Sequence, residues 1–125
     1  MKNPASEINH ENALLWFIKV CAGGLILFFL VIHFIINHLV APGGLLTFED
    51  VVDYYQNPGV LVMEGFFLTF ILVHGLLGLR SVILDLNPSP QMVKFLDFGL
   101  IILGFFALVY GIWLLITVNS MGPLP

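Results

Sequence analysis

The stretch VLVMEGFFLTFILVHGLLGLRSVIL, residues 60–84, decides the fold. It exceeds the ~20 residues a helix needs to cross a hydrocarbon core of ~30 Å, and its only ionisable groups are Glu64, His74 and Arg80. Backbone groups in lipid must find their partners internally, so such a run reads as a helix. Two runs of the same kind flank it, Leu14–Val40 and Phe95–Val118. The 125-residue chain is 59% hydrophobic and 10% charged, with a mean hydropathy of +1.03, whereas a soluble domain carries about 25% charged residues. The expectation is an all-α integral membrane protein, one domain over residues 1–125, with transmembrane helices at about 14–40, 58–84 and 92–118.

The net charge of −4 says little about partners, but the placement of the four basic residues is informative. Lys2, Lys19, Arg80 and Lys94 fall on one side of this topology, while residues 39–59 and 119–125 carry no Lys or Arg. By the positive-inside rule the N-terminus is cytoplasmic, the 39–59 connection and the C-terminus are outside, and the 85–93 connection is inside. The expected location is the cell inner membrane, with lipid as solvent and no nucleic-acid partner. The first run is too long for a signal peptide, lacks a small-residue cleavage site and carries Lys19, so it is expected to stay in the mature protein. Cys21 has no CxxC or CxxCH setting, which leaves disulfides, zinc and covalently attached heme unsupported.

The connections carry turn and cap signals. Asn9 or Asn12 suits the start of the first helix. Beyond Pro42-Gly43-Gly44, the pair Thr47 and Asp50 resembles a capping box opening a short interfacial helix at about 47–55, with Val51, Val52, Tyr54 and Tyr55 on it. Pro58 fits the first turn of the second helix. Leu86-Asn87-Pro88-Ser89-Pro90 is a turn, because both prolines forbid a continuous helix. In the third helix Gly104, Ala107 and Gly111 form a strip of small residues that permits close helix approach, and Tyr110 and Trp113 read as packing or interfacial belt residues.

Chemistry belongs to the first two helices, since an ionisable side chain at membrane depth is costly without a partner. At ~1.5 Å per residue His33 lies roughly 10 Å from the outer end of its helix and His74 roughly 22 Å from the outer end of its own. The difference of about 12 Å argues against their being opposite axial ligands of one iron. His74 shares its face with Gly78, Ser81 and Asp85, and Gly78 leaves room for a flat, wide ligand such as a porphyrin. His33 shares its face with Ala22, Ile26, Phe29, Leu30 and Asn37, with Lys19 further along. Each histidine is either a heme ligand, for which imidazole is a common choice, or a hydrogen-bonded packing residue. His38 and His10 read as solvated residues.

At these residues the sequence resembles a family. The run His74-Gly75-Leu76-Leu77-Gly78-Leu79-Arg80, closed by Asp85, is similar to the second-helix motif of the membrane-anchor subunits of succinate:quinone oxidoreductases. There a heme-ligating His is followed by Gly, often by Arg, and eleven residues on by Asp. His33-Phe34-Ile35-Ile36-Asn37 is similar to the His-x-x-x-Asn of the diheme members, and the resemblance covers about residues 22–86.

The resemblance implies a heme b cytochrome subunit of succinate dehydrogenase (complex II), the smaller D-type anchor being favoured. Such a subunit docks the flavoprotein and iron–sulfur subunits to the membrane and passes electrons to quinone. By the same analogy His74 and His33 are axial ligands of two hemes b, shared with a second membrane-anchor subunit that supplies the opposite histidines and completes the helical bundle. Arg80, Lys19, Asp85 and Ser81 become candidate contacts for heme propionates or a quinone, and Gly78 the point of close heme approach. Snorkelling to lipid phosphates is the alternative for Arg80 and Lys19, while Asp85 pairs with Arg80 or ends its helix. A Leu stands at position 86, where several relatives place a quinone-contacting Tyr. The partner surface is expected around Met1–Asn12 and Asp85–Lys94.

Three other readings stand beside this one. They are the anchor of a fumarate reductase, a heme-free structural subunit of another respiratory complex, and a small proton or ion carrier using Glu64, His74 and Asp85. Against the last, Glu64 is about 80° from His74 around the helix.

Overall fold

The structure, a computed structural model, describes residues 12–40 and 47–122. Helix α1, Ala13–Ile35, begins at Asn12, whose side chain accepts a hydrogen bond from the Leu14 amide. It runs on into a π-helical turn, Ile36–Val40. Helix α2, Phe48–Tyr55, opens on a capping box in which the Asp50 amide donates to Thr47 Oγ1 (3.1 Å) and the Thr47 amide to Asp50 Oδ2 (2.8 Å). Helix α3, Pro58–Leu84, has Asn57 as its cap and Pro58 in its first turn. Helix α4, Pro90–Ser120, is capped by Ser89 and starts on Pro90, two residues before the sequence-based boundary, since proline suits the first helical position. In the turn between α3 and α4, Asn87 takes a left-handed conformation (φ 52°), which asparagine tolerates better than most residues.

Three stretches are long and apolar enough to cross a membrane: Ala13–Val40, Pro58–Leu84 and Pro90–Ser120, of 28, 27 and 31 residues. The sequence places them at about the same positions. The Pro42-Gly43-Gly44 start of the outer connection, the candidate cap Asn9, His10 and most of the Met1–Asn12 surface lie outside the described residues.

Helix α3 packs between α1 and α4, whose backbones do not approach each other. Both pairs are antiparallel. Along α1–α3 the levels are His33 with Glu64, Phe29 with Phe66 and Phe70, Gly23 with His74, and Lys19 with Ser81. Along α3–α4 they are Leu68 with Gly111, Leu76 with Gly104, and Arg80 with Asp97. The small-residue strip of α4 is therefore used inside the chain, where α3 leucines sit over Gly104 and Gly111. Helix α2 is anchored by Val52, which is fully buried, and by its Tyr55 carbonyl, which accepts from Asn119 Nδ2 at 2.6 Å.

Three helices in a row enclose little. Besides Val52, the buried apolar residues described are Ala22, Val60, Met63, Leu84 and Val93, while Phe95, Leu86 and Leu39 are 79%, 77% and 72% exposed. Apolar surface on this scale does not persist in water. It suits lipid tails and neighbouring membrane helices.

Candidate functional site

His74 lies against α1, with its Nδ1 2.9 Å from the Lys19 carbonyl oxygen. A carbonyl only accepts, so the proton in this bond belongs to Nδ1, which in the neutral tautomer leaves the lone pair on Nε2. The ring remains exposed on the surface of the chain. One turn further along α3, a side chain added at Gly78 would meet nothing within 4 Å. Another turn on, Ser81 Oγ accepts from Lys19 Nζ (2.6 Å) and donates to the Leu77 carbonyl (3.0 Å). His74, Gly78 and Ser81 follow one another along α3, and Lys19, which helix periodicity groups with His33 on α1, meets His74 and Ser81 there.

Arg80 turns to α4. Its Nε donates to Asp97 Oδ1 at 2.6 Å and its Nη2 to Oδ2 at 3.2 Å, while its buried Nη1 has no partner among the described residues. The carboxylate facing Arg80 is therefore Asp97, not Asp85. Asp85 closes α3 as its C-cap and is exposed. A carboxylate gains nothing from the helix dipole there.

The second cluster surrounds His33. Its Nδ1 is 2.6 Å from Glu64 Oε1, the same oxygen that accepts from the Tyr54 hydroxyl at 2.8 Å. The Asn37 amide nitrogen lies 2.9 Å from His33 Nε2. With Nδ1 donating to the carboxylate, Nε2 accepts from Asn37, and both ring nitrogens are engaged. Glu64 and Asn37 are buried, and Asn37 Oδ1 has no partner among the described residues. On the α2 side of this cluster, burial raises Tyr54 well above the usual phenol range, with the Glu64 hydrogen bond and charge adding to the effect. Burial, then the Glu64 charge, push Tyr55 up to about 12.

Glu64 and His74 are ten residues apart on α3, or about 15 Å at ~1.5 Å per residue. The two histidines thus occupy separate levels of the helix pair, in keeping with the depth difference read from the sequence. His38 is exposed, with its ring tilted against that of Phe34 at a centroid distance of 4.9 Å.

Sequence reasoning missed Asp97, Gly23 and the Tyr54–Glu64 link. A signal for Asp97 was present: it follows the Leu86–Ser89 turn by about as many residues as Arg80 precedes it, which puts the two level in an antiparallel hairpin. Gly23 had no such signal, because the contact depends on the register of α1 against α3.

Three apolar crossings with polar groups placed between them make this a multi-pass membrane protein. The pattern of the family described as "Succinate dehydrogenase/Fumarate reductase transmembrane subunit" matches residues 3–92, a span holding both histidines, and the chain belongs to that family. It is also similar to the succinate dehydrogenase hydrophobic membrane anchor subunit of Thermoplasma acidophilum, 26% identical over 105 residues that cover 84% of this chain and 85% of the relative. No solved structure matches.

Proposed function

We propose that this chain is the heme b-binding, D-type membrane-anchor subunit of a succinate dehydrogenase, and that His74 is the axial ligand it contributes. The observation that carries the reading is the state of the His74 ring: Nδ1 is committed to the Lys19 carbonyl, and Nε2 is left on an exposed face of the chain. Histidines that ligate metals nearly always hand their other ring N–H to such an acceptor. The open space beside Gly78 suits a macrocycle lying along α3.

The heme, when bound, supplies one-electron transfer. The chain's own residues position and enclose it. His74 presents Nε2 in a fixed tautomer. Lys19 and Ser81 meet about 10 Å along α3 from His74, counted at ~1.5 Å per residue, where propionates or a quinone carbonyl would reach them, while Arg80 at the same level is held by Asp97 on α4. A second anchor subunit packed on the same exposed face would complete the heme site. The flavoprotein and iron–sulfur subunits dock on the cytoplasmic side, around Asp85–Lys94. Fumarate reduction runs the same chain of carriers in reverse, so the reading covers both directions of electron flow.

A second heme at His33 fits less well. Donation to Glu64 suits an axial imidazole, but the Asn37 amide covers Nε2 and would first have to turn away.

Reduced-minus-oxidised spectra with heme quantitation, on the intact complex and on His74→Ala and His33→Ala, test the reading. Loss of heme in His74→Ala with retention in His33→Ala is expected. Full heme content in His74→Ala overturns it, and loss of a separate heme in His33→Ala would restore the two-heme form.

A further inference from the structure

We propose that Gly23 is a positioning residue for His74, forming with the Lys19 carbonyl a seat on α1 that sets the orientation and the proton of the imidazole. The proposal rests on the reading of His74 as a heme ligand.

The argument begins with helix geometry. In an α-helix the carbonyl of one residue accepts from the amide four residues on, so Gly23 stands directly over the Lys19 carbonyl. A carbonyl has two lone pairs and can take a second donor from the side. That donor must then approach past the side chain of the residue one turn further along. His74 Nδ1 reaches the Lys19 oxygen at 2.9 Å by lying across the Cα of Gly23. A Cβ at position 23 would stand 3.0 Å from His74 Cε1 and 3.1 Å from Nδ1. The imidazole is rigid, so the ring would have to give by a few tenths of an ångström and the bond to Lys19 would lengthen. Gly24, next along the chain, has open space at the same range. Only one of these two adjacent glycines has the imidazole packed against it.

Lys19 ties the seat to α3 a second time, through Nζ to Ser81 Oγ. The main chain and the side chain of one residue thus hold α3 at two levels, which keeps the Lys19 carbonyl in register with the ring. A hydrogen bond at Nδ1 makes the imidazole a stronger donor through Nε2 and favours the oxidised iron. Loss of that bond moves the midpoint potential in the positive direction.

The test uses the assembled complex in its membrane, with Gly23→Ala, Gly24→Ala and His74→Ala, read by heme content, redox titration and electron paramagnetic resonance of the oxidised heme. Gly23→Ala is expected to shift the potential upward and alter the g-values, with Gly24→Ala matching the parent protein. Equal behaviour of the two glycine variants overturns the seat. Retention of heme in His74→Ala instead overturns the parent reading, so the two failures are distinct. Should Gly23→Ala not assemble, electron–nuclear double resonance on the unmodified complex decides the matter. A hydrogen-bonded proton on Nδ1 supports the seat, and its absence overturns it.

Discussion

Arg80 and Asp97 join α3 to α4 by a two-point ion pair, Nε to Oδ1 at 2.6 Å and Nη2 to Oδ2 at 3.2 Å. The arginine side chain is 13% exposed and the aspartate 39%, so the pair sits half out of solvent at the turn end of the hairpin. A planar fork facing a carboxylate is specific in geometry as well as charge, and lysine cannot reproduce it.

Asp97→Ala is therefore expected to lower stability by about 1–2 kcal/mol, the lower part of the range for hydrogen bonds to charged groups because the carboxylate is partly exposed. Arg80→Lys should lose a part of that amount. Thermal denaturation of the purified complex measures both. Asp97→Ala denaturing at the parent temperature would mean that the pair adds nothing to the hairpin.

Glu64 carries two donors on one oxygen, the Tyr54 hydroxyl and the His33 ring. Glu64→Ala leaves both without an acceptor inside the helix packing, at an expected cost of about 2–4 kcal/mol, since each stranded polar group costs ~1–3 kcal/mol. Glu64→Gln keeps an accepting oxygen and should be milder. Comparing yield and thermal midpoint of the assembled complex for the two variants checks this. Equal losses would show that charge, not hydrogen bonding, holds the cluster together.

The spans were legible in the sequence because the bilayer fixes both their length and their composition, as residues 60–84 show. The caps at Asn12 and Thr47 were legible for a local reason, since each pairs with an amide two or three residues on, whereas the starts capped by Asn57 and Ser89 were marked in the sequence only by the prolines that follow them. Partners across helices can be read only where a short turn sets the register, and even there Asp97 went unread. Arg80 and Asp97 straddle such a turn, whereas His33 and Glu64 are separated by the connection that holds α2. The π-helical turn after Ile35 has no marker in Ile36-Asn37-His38-Leu39-Val40. The face shared by His33 and Asn37 was readable from helix periodicity, while Glu64, which meets His33, and Tyr54, which meets Glu64, were not.

The α2 tyrosines give the complex an alkaline limit. Tyr55 is raised from 10.0 to about 12 in the folded chain, first by burial and then by the Glu64 charge. A raised acid binds its proton more tightly when folded than unfolded, so its contribution is fully present below about pH 10. It is lost as pH climbs through about 12. Stability measured against pH should fall across that window, and Tyr55→Phe should flatten the fall. An unchanged slope in Tyr55→Phe would place the alkaline loss elsewhere.

The closest approach of α4 to α3 is set by Gly104 and Gly111. A Cβ at Gly104 would lie 2.7 Å from Leu76 Cδ1, and one at Gly111 would run into Leu68 Cδ2. In both cases the obstacle is the end of a flexible leucine, so alanine should be absorbed by a rotamer change at little cost. A β-branched side chain has no such escape, because it adds bulk on both sides of Cβ. Gly104→Val and Gly111→Val are each expected to destabilise by about 1–3 kcal/mol, the usual penalty for overpacking. The positions are seven residues, or about 10 Å, apart along α4, so the double variant should show nearly the sum. Gly99→Val is the control, since a Cβ there meets nothing within 4 Å. Thermal midpoints of the three single variants and the double variant decide the point. If Gly99→Val is as damaging as Gly111→Val, helix propensity rather than the contact with α3 governs these positions.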